Sequence, residues 1–387
     1  MRALRAVGIA LVVAFALLLW WGWHLYVYDR LVTRPALPAP WADGAAWVVG
    51  AGALSLFLVP LAERWLAPPW CRVVGWPGSL WLGFAFIGVV CLGLTDLGLW
   101  LASAVTSIDT DALLVQRIRA GGVLAVTAAA TLLGMRTAFA PRVHRVTVPL
   151  RRWPRELDGL RVVQISDVHI GPILGRRFAQ WLTERVNALA PDLVAVTGDL
   201  VDGRADRLRT EVAPFGELRA RHGVYFVTGN HDHYSRADEW CAVAAELGMR
   251  VLRNRWERVE VDGASVAVAG VDDHRGDMLA GSSSDLDAAL EGIPSGTPVI
   301  LLAHDPTTFK VASRRAVDLQ LSGHTHGGQI WPFVYLVRLA VPFLAGLYRR
   351  GEATLWVSRG TGFWGPPVRL GAPGEITELT LVGDHVD

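Results

Sequence analysis

The chain has 387 residues, of which 52% are hydrophobic and only 19% charged, and its mean hydropathy is +0.32. These values are displaced from those of soluble domains toward those of membrane proteins, which excludes a wholly water-soluble chain. The formal net charge of +1 provides no overall positive field and argues against a nucleic-acid partner. The three cysteines, Cys71, Cys91 and Cys241, lack the spacing of a disulfide framework or a thiolate metal site.

Most of the apolar residues lie in four runs before residue 142. The first, residues 6–28, is uncharged and long enough for a helix to cross the roughly 30 Å hydrocarbon core of a bilayer. It ends in an aromatic cluster and not in a small-residue cleavage site, which favours a retained helix over a signal peptide. Further runs at about 45–62, 79–102 and 120–140 predict a transmembrane region of four helices over residues 1–142.

Four crossings would place the N-terminus and everything after the fourth helix on the same side of the membrane. On that side the flanking segments carry eight arginines, against four on the opposite side. Because positively charged loops are retained inside, this excess favours an integral protein of the cell (inner) membrane with a cytoplasmic C-terminal domain.

Two ionisable residues, Asp96 and Arg136, lie within or beside the apolar runs, where a charged group is costly and is a functional candidate by default. A structural interpretation is favoured because both lie near the ends of their runs, where Asp96 could pair with Arg119 and Arg136 could extend to the interface. In the alternative interpretation they are pore or coupling residues of a membrane receptor or transport component.

After a linker predicted at residues 143–158, the pattern changes to short apolar, β-rich runs that end abruptly in polar loops. Residues 176–191 have apolar side chains at helical spacing, and a second helix is expected near 237–247. Asp262 and Gly263 mark a hairpin. Strands alternating with helices and followed by hairpins predict a layered α/β domain over residues 159–384, with ligand-bearing loops at the carboxyl ends of strands.

Five of these strands end in residues that can bind metal ions. In chain order they are Asp167 and His169 in "SDVHI", Asp199 and Asp202 in "GDLVD", Asn230, His231 and Asp232 in "GNHD", His304 in "LLAHDP", and His324 and His326 in "SGHTH". Residues two apart in an extended chain point the same way, so Asp167 and His169 could chelate one ion. The two oxygens of Asp199 could bridge two ions. Oxygen and imidazole ligands without thiolate suit Mn, Fe, Zn or Mg.

The ordered set of motifs, each after a strand, resembles the calcineurin-like metallophosphoesterase superfamily over about residues 159–384. The stretches "TGNHDHY", "LAHDP", "LSGHTHGGQ" and "VSRGTGFWGPPVRLGAPGEITELTL" are most similar to its bacterial membrane-associated branch, whose members often have several N-terminal transmembrane helices. The resemblance implies a layered β-sandwich flanked by helices. It also implies two divalent metal ions, with manganese favoured among Mn, Zn, Fe and Mg.

The resemblance further implies a role for each motif residue. Asp167, His169 and His326 would hold the first ion. Asn230, His304 and His324 would hold the second. Asp199 would bridge the two ions, and Asp202 would lie behind the ligands. His231, adjacent to a ligand but assigned to neither ion, is the expected proton donor to the leaving group or stabiliser of the transition state, and Asp232 would orient it.

These features together predict a membrane-anchored, metal-dependent phosphoric ester hydrolase. Two divalent ions about 3.5 to 4 Å apart can hold a bridging hydroxide that attacks a phosphodiester, phosphomonoester or pyrophosphate in line. A lipid or lipid precursor is favoured as the substrate by analogy, since the helices hold the site at the bilayer. In one alternative the helices only localise a nucleotide or protein phosphatase. In another, the phosphoesterase domain regulates a membrane receptor or transport component.

Several further residues have open roles. The apolar run Ile330–Gly346 contains two prolines and is a poor crossing helix, so it either packs in the core or lies in the membrane interface beside the site. His233 is kept as a candidate substrate contact, and His274 is excluded. Arg176 and Arg177 are assigned to a helix surface. The sequence carries no signal for the oligomeric state.

Overall fold

The structure is a computed structural model that describes residues 2–274 and 284–384. The chain divides into two compact units. The first comprises Met1–Ala62 and Val73–Gly134, and the second comprises Glu63–Arg72 and Met135–Asp387.

Long helices make up the first unit. They are α1 (Arg2–Tyr28), α2 (Ala39–Trp65), α3 (Trp70–Val105) and α4 (Leu113–Ala138), with a π-helical turn at Asp29–Thr33. Among the described residues, three helical segments are long and apolar enough to cross a membrane, namely those at 39–63, 70–105 and 113–138. They correspond to the last three predicted runs, although the last helix ends at 138 and not at 140, so three apolar helices are confirmed. That α1 crosses as well stays a prediction.

Asp96 is paired within the first unit, as the structural interpretation expected. Its carboxylate accepts hydrogen bonds from Arg119 at 2.5 Å, Arg30 at 2.9 Å and the Tyr26 hydroxyl at 2.8 Å. A carboxylate in an apolar helix is stabilised when cationic partners replace its water. Arg136 is exposed in the last turn of α4. The geometry therefore favours a structural role for Asp96 over a pore or coupling role.

The second unit contains two six-stranded sheets among the described residues. The strands are β1 (Arg142–Leu150), β2 (Leu160–Ile165), β3 (Leu193–Thr197), β4 (Val224–Val227), β5 (Arg250–Val251), β6 (Arg255–Val261), β7 (Ala264–Gly270), β8 (Val299–Leu302), β9 (Leu319–Ser322), β10 (Gly346–Arg350), β11 (Ala353–Val357) and β12 (Glu375–Gly383). The first sheet has the order β1-β12-β2-β3-β4-β5 and the second β10-β11-β9-β8-β7-β6.

Helices connect these strands. They are α5 (Arg176–Asn187), α6 (Ala205–Val212), α7 (Asn230–Tyr234), α8 (Ala237–Glu246), α9 (Leu286–Leu290), α10 (Phe309–Ala312) and α11 (Val334–Ala340). The predicted helices at 176–191 and 237–247 correspond to α5 and α8. The predicted hairpin at Asp262 and Gly263 joins β6 to β7.

The two sheets pack face to face and form a sandwich with helices outside. Val162 and Tyr225 of the first sheet share a buried core with Val268 and Leu321 of the second. Helices α5, α6 and α8 share a second core with the other face of the first sheet. Helices α9 and α10 do the same on the second sheet. The predicted layered β-sandwich flanked by helices is confirmed.

Parallel pairing brings the functional loops together. Strands β2, β3 and β4 are parallel neighbours in the first sheet. Strands β8 and β9 are parallel neighbours in the second. Because parallel strands end at the same edge, the loops that follow them meet at one end of the sandwich.

The predicted linker at 143–158 is wrong. Strand β1 pairs in parallel with β12 from Arg142 opposite Glu375 to Leu150 opposite Gly383. Its first half is exposed or half-buried, whereas Val148 and Leu150 are fully buried. The exposed half hides the strand in the sequence, because its alternation of apolar and polar residues is weak there. Residues 142–150 are therefore part of the first sheet and not a linker.

Shortening the Leu150 side chain tests this boundary. Leu150→Ala leaves a cavity in the core between the sheets and should cost about 2–5 kcal/mol of stability. The melting temperature of the purified full chain, followed by intrinsic fluorescence, should fall by several degrees. Thr147→Ala, at an exposed position of the same strand, should change stability by less than about 0.5 kcal/mol. Equal melting temperatures for the two variants would show that residues 142–150 contribute nothing to the domain core.

Candidate metal centre

The strand ends converge on two groups of potential metal ligands. In the first, ligand atoms of Asp167, His169 and His326 all lie within 4.8 Å of one another. In the second, the same holds for Asp199, His304 and His324. His169 and Asp199 also form a group with His231, which links the two. Asp167 and His169 follow β2, and Asp199 follows β3. The other three come from the loops after β8 and β9, so both sheets contribute to both groups.

In the first group, hydrogen bonds fix which nitrogen of His169 is free. Its Nδ1 donates to Asp202 at 2.9 Å, so its Nε2 is the nitrogen that faces His326 and can bind a cation. That Nε2 lies 3.1 Å from Nε2 of His326, which in turn lies 3.5 Å from Oδ1 of Asp167. Burial lowers the pKa of His326 well below its ordinary value, so this ring is neutral. Buried lone pairs that face one another in this way are suited to a shared cation.

The second group is arranged in the same manner around His304. Its Nδ1 donates to the carbonyl of Thr197 at 2.8 Å, so Nε2 faces Asp199. Burial opposes a charge on His304, but the carboxylate of Asp199 raises its pKa well above the ordinary value, so a bound cation would take the place of the proton on Nε2. That Nε2 lies 3.2 Å from Oδ2 of Asp199 and 3.2 Å from Nδ1 of His324. Two imidazoles and a carboxylate therefore face one space.

The side-chain oxygen of Asn230 indicates whether these residues fit a metal ion. Its Oδ1 is buried and has no hydrogen-bond partner among the described residues. An amide oxygen left without a partner costs roughly 1–3 kcal/mol, which a bound cation would offset. Together with imidazole nitrogens and carboxylate oxygens, this atom completes a ligand set suited to Mn, Zn, Fe or Mg. The residues present therefore fit divalent cations.

The backbone at these positions is strained. Five residues have φ between 51° and 73°, in the left-handed region: Asp167, His169, Asp199, His324 and His326. Non-glycine residues there cost of order 1–3 kcal/mol each and cluster at functional sites. The expectation of an extended chain at Asp167 and His169 is therefore wrong, although the two side chains do converge. His324 and His326 lie in different ligand groups.

Glycines allow the loops to approach closely. A Cβ atom at Gly323 would collide with Ser166 and the carboxylate of Asp167, and one at Gly229 would collide with the carboxylate of Asp199. Any larger residue at these two positions would push apart the loops that carry the ligands.

Asp202 connects a ligand histidine to His231. Its Oδ1 accepts hydrogen bonds from Nδ1 of His169 at 2.9 Å and from Nδ1 of His231 at 2.7 Å. Burial opposes a charge on His231, but the neighbouring carboxylates of Asp202 and Asp199 raise its pKa to about 9. His231 therefore carries a proton at neutral pH, and Asp202 fixes the orientation of its ring.

The expected role of Asp232 is wrong. Its fully buried carboxylate accepts hydrogen bonds from the backbone N–H groups of Asp199 at 2.9 Å, Leu200 at 3.0 Å and Gly229 at 2.8 Å. Helix α7 begins at Asn230, and consecutive side chains on a helix point about 100° apart, so Asp232 turns away from His231. Asp232 holds the backbone of Asp199 in place. The carboxylate that orients His231 belongs to Asp202.

The remaining polar candidates lie outside the ligand groups. His233 is buried, with its Nε2 3.1 Å from Asp272 and 3.2 Å from Thr228, which argues against its candidate role as a substrate contact. His274 is partly exposed, 3.6 Å from Asp305. Arg176 begins α5 on an exposed surface, as expected.

Arg369 is a site residue that the sequence did not reveal. It is fully buried and donates to Gly362 and Ala372, and its Nη2 lies 3.2 Å from Nδ1 of His326. Burial lowers the pKa of Arg369 to about 10, so it stays charged at neutral pH. Arg369 supports the loop of His326 from behind. It lies within the C-terminal stretch that resembles the family, which was the available signal.

Two aromatic rings lie beside His231. The ring centroids of Tyr234 and Trp364 are 5.3 Å and 5.8 Å from that of His231, and both side chains are more than half exposed. Gln329 fixes the backbone of Trp364, since its Nε2 donates to the Trp364 carbonyl at 2.8 Å and its Oε1 accepts from the Trp364 N–H at 3.1 Å. A half-exposed aromatic wall therefore stands next to the protonated histidine.

Comparison with known proteins gives a consistent family assignment. The calcineurin-like phosphoesterase family matches residues 160–328. The chain is 43% identical over 269 residues to a bovine "Transmembrane protein with metallophosphoesterase domain", covering 66% of this chain and 61% of that protein. It spans about 61% of the length of this protein and of a zebrafish protein of the same name.

Two bacterial relatives are covered more fully. The chain is 32% identical to an uncharacterized metallophosphoesterase of Aquifex aeolicus, over 62% of this chain and 92% of that protein. It is also 32% identical to the uncharacterized metallophosphoesterase YkuE of Bacillus subtilis, over 59% of this chain and 81% of that protein. The chain therefore belongs to the calcineurin-like metallophosphoesterase family.

Proposed function

We propose that the protein is a membrane-associated phosphoesterase that hydrolyses a phosphate ester with two divalent cations. The observation that carries this proposal is the buried convergence of imidazole and carboxylate ligands on Asp199, together with the unpaired Oδ1 of Asn230. Asp167, His169 and His326 would hold the first ion. Asn230, His304 and His324 would hold the second, and Asp199 both.

The bound ions and the protein would contribute different parts of the chemistry. When bound, two divalent cations lower the pKa of a water molecule and neutralise charge on the phosphoryl oxygens of an in-line displacement. The protein orients the ligands through Asp202 and Asp232, and excludes water because Asp167, Asp199 and His304 are almost completely buried.

His231 supplies the proton for the leaving group. Its Nδ1 donates to Asp202, so the transferable proton is on Nε2. A protonated histidine beside the reacting phosphate can protonate the leaving alkoxide, and this type of catalysis contributes about 10²–10⁴-fold. After transfer, the neutral ring keeps its hydrogen bond to Asp202 and is held ready for the next proton.

The substrate proposed is a lipid or a lipid precursor, with the phosphate as a diester or pyrophosphate. Tyr234 and Trp364 lie beside the proton donor and are exposed, so the leaving group meets an apolar and aromatic wall. The same chain has helices that can cross a membrane. Both features suit a substrate with a large apolar part better than a small soluble phosphate.

The site is placed on the cytoplasmic side of the cell membrane in this proposal. The support is the excess of arginines in the segments that four crossings would put inside. This orientation requires four crossings, so it counts α1 as the first of them.

Metal dependence is the direct test of the proposed activity. The purified full chain should hydrolyse a soluble aryl phosphodiester or phosphomonoester when Mn, Zn, Fe or Mg is supplied, with about two ions bound per chain. A chelator should abolish turnover, and added metal should restore it. Asp199→Asn should lose both turnover and metal. Absence of turnover with every metal and both esters would overturn the proposed function.

Replacing His231 separates proton donation from metal binding. His231→Ala should lower kcat by about 10²–10⁴-fold while the metal content measured by elemental analysis stays the same. His274→Ala, a matched change of a loop histidine outside the ligand groups, should keep turnover within about twofold of the wild type. Full activity in His231→Ala would remove this residue from the mechanism.

The reassignment of Asp202 and Asp232 can also be tested. Asp202→Asn should lower kcat with little change in melting temperature, because it weakens only the hold on His169 and His231. Asp232→Ala leaves three buried backbone N–H groups unpaired, at about 1–3 kcal/mol each, and should lower the melting temperature and metal content. If Asp232→Ala were as stable as the wild type and lost only turnover, the original assignment of Asp232 as the partner of His231 would be restored.

A further inference from the structure

The segment Trp331–Ala340 beside the metal centre has an exposed apolar surface. Helix α11 contains no buried residue, and it is fully within the described part of the chain. Leu339 is 86% exposed, Leu336 60% and Trp331 47%. The core interpretation of residues 330–346 is therefore wrong for this part of the run, although Leu344 is buried. A contiguous apolar surface of this kind marks an interaction site in a folded protein.

Trp331–Ala340 is attached firmly to the loop that carries the metal ligands. Gly328 lies against Val334 at the start of α11, where a Cβ atom on the glycine would collide with the valine. The Trp331 N–H donates to the carbonyl of Leu370 at 2.9 Å. The surface is therefore held at a fixed place next to His326 and is not a loose tail.

The ends of two apolar helices belong to the same compact unit. The second unit includes Glu63–Arg72, and Arg72 forms an ion pair with Glu211 at 2.6 Å. Gly175 lies against the guanidinium of Arg72, and Gly171, four residues earlier in the same loop, lies against Asp202, so this segment packs on the loop that borders the metal centre.

Tryptophans mark these helix ends. Trp65 ends α2 and Trp70 begins α3, and both side chains are exposed. Tryptophan is enriched where helices leave the hydrocarbon core and enter the headgroup region. The second unit therefore contains, near the loop that borders the metal centre, the tryptophan-bearing ends of two helices that are long and apolar enough to span a bilayer.

We propose that Trp331–Ala340 inserts into the headgroup and acyl boundary of the bilayer that these helices cross. The bilayer is the occupant that fits, because the second unit already contains the interfacial ends of α2 and α3. Arg338, the charged residue of α11, is exposed and suits anionic headgroups. The consequence that lipid phosphates reach the metal centre from the membrane rests on the proposed function. The insertion itself does not.

A depth measurement on the full chain tests the insertion. The three native cysteines are replaced by serine, and a bimane probe is attached at Leu339→Cys in nanodiscs of phosphatidylcholine and phosphatidylglycerol. Brominated acyl chains should quench this probe by about twofold or more. The control is Val311→Cys, an exposed apolar position in α10, whose probe should be quenched little. A probe at 339 that is quenched no more than one at 311 would overturn the proposal and leave a protein partner as the occupant.

A second variant separates this inference from the proposed function. Leu336→Ser combined with Leu339→Ser removes apolar surface without touching the ligands. It should reduce quenching of a probe at Tyr335→Cys by about half or more while turnover of a soluble aryl phosphodiester stays within about twofold. Unchanged quenching would count against insertion. If the wild type showed no turnover, that result would count against the proposed function but not against insertion, because the depth measurement needs no catalysis.

Discussion

The fold depends on stabilising the buried carboxylate of Asp199, whose charge is in contact with histidines from both sheets. Oδ1 accepts the backbone N–H of His231 at 2.7 Å, and Oδ2 lies 3.2 Å from His304 and 3.8 Å from His169. Burial alone would raise the pKa of Asp199, but these histidines hold it well below its usual range. An uncompensated charge at this depth would cost several kcal/mol. His169 follows a strand of one sheet and His304 a strand of the other, so the compensation exists only when the sandwich is closed.

The strained backbone around Asp199 depends on the same closure. Five expected ligands adopt left-handed φ values, and each costs of order 1–3 kcal/mol. The loops are held in this state by buried polar residues, chiefly Asp232 under the β3 loop and Arg369 under the loop of His326. Cores on both sides of each sheet supply the rigid framework that such strain requires. Stability of the fold and preorganisation of the site therefore have one physical origin.

Features that depend on adjacent residues, such as a strand and the ligand that follows it, were predicted from the sequence. Features that depend on contacts between distant residues were not. Each short apolar run that ends in Asp, Asn or His became a strand followed by a ligand, because both the strand and its polar end are read from adjacent residues. Asp232 was misassigned because neighbours on a helix diverge in space. β1 was missed because its partner β12 lies more than 200 residues away in the chain. No local pattern distinguishes the buried Arg369 from the many arginines at the surface.

The segment after β9 carries two candidate metal ligands and also positions the exposed aromatic ring beside His231. Within six residues it carries His324, His326 and then Gln329, which fixes Trp364 beside His231. Thr325, between the two histidines, donates to the carbonyl of Leu344 at the far end of the apolar run. The ligand loop is therefore joined by the chain to the start of α11 and by a hydrogen bond to Leu344, which follows α11. The exposed surface of α11 is therefore held at a fixed place beside the metal ligands, so its position follows from the same hydrogen bonds that order the ligand loop.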